Sequence, residues 1–167
     1  MNPSLQAIRQ AAGGEQLLDA LARHLLEESG TVGQIHGIGP DELEALYAFA
    51  HSLYNQARWP EALSAFNFLS IQDHLDRRHH MGRGACLQML RRHEEALRAY
   101  SLAFLLEMTD PVVSFHIGEC LIALGRREDA QVALDAAADA AADAPARTDI
   151  GERALALLTL LKRKEQA

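Results

Sequence analysis

Three stretches of the chain, WPEALSAF from Trp59 to Phe66, HEEALRAY from His93 to Tyr100 and REDAQVAL from Arg127 to Leu134, each begin 34 residues after the last. A pattern spelled three times without a gap demands one supersecondary unit three times over. Each unit is too small to bury its apolar face alone, so the units must stack. Aligning residues 43–76, 77–110 and 111–144 brings Ala50, Gly84 and Gly118 together at the eighth position and Ala62, Ala96 and Ala130 at the twentieth. Leu53, Leu87 and Leu121 share the eleventh position, and Phe66, Tyr100 and Leu134 the twenty-fourth. Small residues let two helices approach closely, and large apolar ones fill the space beside them.

Helical signals surround this core pattern. Leu17, Leu18, Leu21, Leu25 and Leu26 predict one side of a helix over 16–28, with Gly30 as its stop. The stretch GTVGQIHGIG reads as a turn, after which Pro40 fits a first helical position. Pro60 opens a helix ending near Ile71, and further helices are predicted at about 77–90, 93–106, 111–124 and 127–140. Asp110 before Pro111 reads as an N-cap and Gly125 as a helix end. Asp135, Asp139 and Asp143 recur every four residues as a solvated face, and Pro145 precedes a last amphipathic helix with Leu155, Leu158 and Leu161. The expected fold is all-α: an N-terminal helical region over 1–42, three repeats over 43–144 (43–76, 77–110, 111–144) and a C-terminal capping helix over 145–167.

A period of 34 with these small and large positions resembles the tetratricopeptide repeat, an α-α superhelix. The trailing proline of its consensus is replaced by His74, Met108 and Ala142, so irregular turns are expected between repeats. In such a stack the first helix of each pair lines a concave groove through positions 2, 5, 9 and 12. Those positions hold Glu44, Arg78 and Val112; Tyr47, Met81 and Phe115; His51, Ala85 and Glu119; and Tyr54, Gln88 and Ile122. Large apolar residues that the core does not need mark a binding surface, and polar ones between them suit an extended peptide with apolar anchors. Packing of Tyr47, Met81 and Phe115 against an N-terminal helix folded back across the groove stays open. The carboxylate clamp of tetratricopeptide co-chaperones is missing, since its positions hold Tyr47, His51, Gly82, Val112 and His116.

Longer motifs carry a more specific likeness. LYAFAHSLYNQARWPEA over 46–62, GRGACLQML over 82–90 and FHIGEC over 115–120 resemble the class II chaperones of bacterial type III secretion, the SycD, LcrH and IpgC group. The resemblance spans about residues 28–140. It implies a cytoplasmic chaperone that cradles an extended segment of hydrophobic translocator proteins, with Tyr47 and Tyr54 as groove tyrosines and Phe115, His116 and Glu119 as the third-repeat motif. It also implies homodimerisation through the N-terminal helical region, for which Leu17, Leu18, Leu21 and Leu25 offer an apolar stripe. A second function implied for some relatives is that of an adaptor to an AraC-type transcription activator. DHLDRRHHMG departs from the family, placing Leu75, Arg77, His79 and His80 where aromatic residues are frequent.

Other chemistry finds little footing. The net charge of −7 opposes phosphate neutralisation, so no direct nucleic-acid partner is expected. No run reaches the roughly 18 apolar residues of a membrane span. Cys86 and Cys120, the two cysteines, both occupy position 10 of their repeats and read as small packing residues rather than a disulfide. His74, His79 and His80 lack the spacing of a metal site, GRGAC sits within a helix, and no cofactor or catalytic group is expected. Arg91–Arg92 and Arg126–Arg127 suit helix C-termini, whereas Arg77 and Arg78 fall at a helix start, where a cation is disfavoured and contact with a partner or with solvent is expected.

Overall fold

The protein is described here by a computed structural model covering residues 2–163, and every described regular element is helical. Two compact units divide at His79 and His80.

The first unit begins with α1 (Pro3–Gln10), capped by Asn2, whose side chain accepts the Ser4 N–H. Helix α2 (Gly14–Ala22) runs into a π-helical turn over Arg23–Glu27, so the single regular helix expected over 16–28 is instead wound more loosely in its last part. The cause is polar. His24, fully buried in that turn, has Nδ1 at 3.0 Å from Ser4 Oγ and Nε2 at 3.3 Å from the Thr31 carbonyl. Gly30 passes against the same imidazole so closely that any Cβ would collide with it. GTVGQIHGIG is not merely a turn. It contains α3 (Val32–His36), started by a capping box in which Thr31 and Gln34 exchange side-chain and backbone bonds. Five residues are too few to show a period, but the Thr-x-x-Gln signature is present.

Helices α4 (Pro40–Asn55) and α5 (Trp59–Gln72) form the first hairpin, and this unit ends at His79. The His36 ring meets Gln72 Oε1 at 3.0 Å and fastens α3 to the end of α5. The following helices are α6 (Arg77–Met89), α7 (His93–Leu106), α8 (Pro111–Ala123), α9 (Arg127–Ala142) and, after a 3-10 turn over Pro145–Arg147, α10 (Thr148–Arg163). All twelve residues at the eighth, eleventh, twentieth and twenty-fourth positions are buried. A methyl added at Gly84 would lie 2.6 Å from the Tyr100 ring, and one at Gly118 would lie 2.7 Å from Leu134. The eighth and twenty-fourth positions therefore touch within a repeat.

The turn inside each repeat is built from main chain. The fifteenth position is left-handed in all three: Ala57 at φ 58°, Arg91 at 60° and Gly125 at 75°. The next N–H then returns to the carbonyl five residues back, Arg58 to Leu53, Arg92 to Leu87 and Arg126 to Leu121, at 2.9–3.0 Å. The same three arginines pair forward with Glu61, Glu95 and Asp129 at the start of the second helix. Turns between repeats use side chains instead. Asp76 and Asp110 accept the N–H two residues on, each at 2.8 Å, and so start α6 and α8. These aspartates, one residue before each new repeat, supply the stop that the missing proline would have given.

In the second unit Ile150, Ala154, Leu158 and Leu161 of α10 pack with Phe115, Leu121, Ala130, Leu134 and Ala137. Gly151 fits against Ala141, one residue earlier than an unbroken period would place a small residue.

A left-handed conformation costs a residue bearing a Cβ roughly 1–2 kcal/mol relative to glycine. Ala57→Gly, at an exposed position, should raise stability by about 0.5–1 kcal/mol, and Gly125→Ala should lower it by a similar amount. Urea titration followed by circular dichroism checks both signs.

Candidate functional site

In the first unit α4 presents Tyr47, His51 and Tyr54. The Tyr47 ring is half-buried, edge-on to Phe66 with centroids 5.9 Å apart and 6.1 Å from His79. Arg78 lies over the exposed face of that ring, its guanidinium carbon 4.7 Å from the centroid. The same guanidinium reaches Glu44 at 2.9 Å and Asp76 at 2.7 Å. Arg78 is therefore ion-paired on both sides although its side chain is 47% exposed. Burial disfavours the charge on Asp76, but hydrogen bonds from the Arg78 side chain and N–H outweigh it and hold the carboxyl below its ordinary range. His51 is exposed and meets Asn55 at 3.1 Å, while Tyr54 is half-buried.

In the second unit Met81, Ala85, Gln88, His116, Glu119 and Ile122 are all half-buried. Four of the polar groups form one chain. Tyr100 Oη donates to Gln88 Oε1 at 2.9 Å, and Gln88 Nε2 donates to Glu119 Oε2 at 3.0 Å. The same oxygen lies 2.8 Å from His116 Nδ1, and because a carboxylate only accepts, that nitrogen carries a proton. The His116 ring stacks on Tyr100 at 5.2 Å and 12°. Burial works against the charge on Glu119, yet hydrogen bonds from His116 and Gln88, with the charge of Arg153, keep its pKa below the ordinary carboxylate value.

Phe115 stands apart from the other expected groove residues. It is 1% exposed and belongs to the core beneath α10. Arg153 of α10 lies over its ring at 4.4 Å. Sequence reasoning missed Arg153 because the shift of register after Pro145 leaves no repeat position to assign it. It also missed the buried Ser4–His24 contact, for which a lone histidine among leucines gives no signal.

Burial pushes the Cys86 thiol up to about 11, and burial with the nearby Glu119 charge pushes Cys120 up to about 12, so both are inert packing groups. No cluster of metal-ligating side chains occurs among the described residues. In the N-terminal region Leu17 and Leu18 are exposed and Leu21 and Leu25 half-buried, and Leu26 is the most exposed at 82%.

Hairpins in a 34-residue register, with polar and aromatic residues on their first helices, define a helical-repeat protein of the tetratricopeptide type. Low calcium response locus protein H of Yersinia pseudotuberculosis is 30% identical over 141 residues, covering 84% of each chain. The structure of PcrH in complex with the chaperone binding region of PopD matches with a TM-score of 0.76 and 35% identity, covering 77% of this chain and 97% of that one. SycD of Yersinia enterocolitica, solved with a peptide of the translocator YopD, matches at 0.74 and 30% identity, covering 77% and 98%. SycD has also been solved as an alternative dimer. No protein-family model matches the chain. The chain belongs to the class II translocator chaperones of type III secretion.

A carboxyl whose folded pKa lies below its unfolded value stabilises the fold above the unfolded value, and that contribution is lost as pH falls through the folded one. Glu119→Gln should therefore lower the melting temperature near pH 7, and the gap to wild type should close below about pH 4. Calorimetry across that range measures it.

Proposed function

We propose that this chain is a cytoplasmic chaperone for the hydrophobic translocator proteins of a type III secretion system. It holds an extended translocator segment and so masks apolar anchors that would otherwise aggregate or associate too early. The observation that carries the reading is that PcrH and SycD, matched here over nearly their whole length, were solved holding translocator segments. In the first unit α4 contributes Tyr47, His51 and Tyr54 to binding, and in the second unit α6 and α8 contribute a surface of Met81, Ala85, Gln88, His116, Glu119 and Ile122. Phe115 supports that surface from beneath. Half-buried aromatic and thioether groups beside fixed polar atoms suit a segment with apolar anchors and an unpaired backbone.

No catalytic step enters this account. Binding withdraws the client from its aggregating state by mass action, and stabilisation grows with the logarithm of free chaperone over its Kd. Among the described residues no helix is long and apolar enough to cross a membrane. Tyr54→Ala with Met81→Ala should weaken capture of a co-expressed translocator by about tenfold or more while the helical circular dichroism is kept. Unchanged co-purification would remove these residues from the binding surface.

The chain is proposed to form a homodimer through the N-terminal region, where Leu18 and Leu26, 67% and 82% exposed, leave apolar surface open to water. Leu18→Glu with Leu26→Glu should halve the mass seen by light scattering. A mass equal to that of wild type would place the dimer contact elsewhere.

A further inference from the structure

Tyr47 and Phe115 occupy the same repeat position, and each carries an arginine on its face. The two arginines differ in what they have left to give. Arg78 commits its donors to Asp76 and Glu44. Arg153 has no hydrogen bond among the described residues. Its nearest carboxylate oxygen, Glu119 Oε1, is 3.8 Å away, an ion pair in charge but too long for a hydrogen bond. The side chain is 55% exposed, and its guanidinium carbon rests 4.4 Å from the Phe115 ring centroid.

The groups beside it are already engaged. Tyr100 donates to Gln88, Gln88 donates to Glu119, and the His116 Nδ1 proton points at Glu119. An extended segment laid on this surface brings main-chain carbonyls that lose water and have no strand to pair with, and each needs a donor. Arg153 has donors to spare. Glu119 already balances its charge, so a neutral carbonyl fits better than a second carboxylate, which would meet Glu119 as a like charge.

Resting on the chaperone reading above, we propose that Arg153 of α10 is a binding residue for the translocator segment, donating to its main-chain carbonyls independently of side-chain sequence. The unit that α10 closes is thereby also the unit that grips the guest backbone.

The test uses the full chain and a synthetic peptide of the PopD chaperone binding region, with affinity read by fluorescence anisotropy. Arg153→Gln should bind this peptide about 5- to 30-fold more weakly, with the melting temperature within a degree or two of wild type. A series of peptides, each with one backbone amide replaced by an ester, supplies a readout that a merely structural role would not move. An ester carbonyl accepts more weakly, so at one position the ester should weaken binding to wild type about threefold more than binding to Arg153→Gln. Neutralising the peptide's acidic side chains should change both proteins alike. Equal affinity of the two proteins, or a loss that follows the peptide's carboxylates, would overturn the role of Arg153. Failure of the peptide to bind wild type would instead strike the chaperone reading, and this inference with it.

Discussion

Close approach of two helices at the eighth position sets the packing within the repeats. Where Gly84 faces Tyr100 and Gly118 faces Leu134, the distance leaves no room for a methyl. The aromatic or leucine at the twenty-fourth position is thus pressed onto backbone, and the leucine at the eleventh is buried beside it. Packing this tight transmits strain rather than absorbing it, so each hairpin behaves as a firm unit. Firm hairpins let the outward side chains of α4, α6 and α8 be set for binding rather than spent on the core.

That division of labour explains what the sequence made legible. A 34-residue period reports contacts made inside the repeat, and those twelve positions are buried as their spacing requires. Helix starts at Pro40 and Pro111 and the cap at Asp110 were readable because each rests on one residue's local chemistry. Membership of the translocator chaperones was readable from three contiguous motifs, over 46–62, 82–90 and 115–120.

What escaped was produced by contacts distant in sequence or by local departures from the pattern. Helix α3 is shorter than two turns, and the π-helical turn at His24 depends on Ser4 and Thr31, twenty residues before and seven after. Phe115 sits at a groove position, but α10 closes over it, and nothing in repeat spacing says what a non-repeating helix will cover. Arg78 was visible as a misplaced charge. Its explanation needed Glu44 one repeat earlier, brought alongside by stacking.

The two kinds of joint along the chain age differently under mutation. Bends within a hairpin are closed by peptide groups, which every residue carries, and alanine, arginine and glycine all occupy the same left-handed site. Each new hairpin instead starts from a single aspartate oxygen, at Asp76 and again at Asp110. Substitution at either aspartate would remove a helix start, whereas any residue can supply the peptide groups that close a bend.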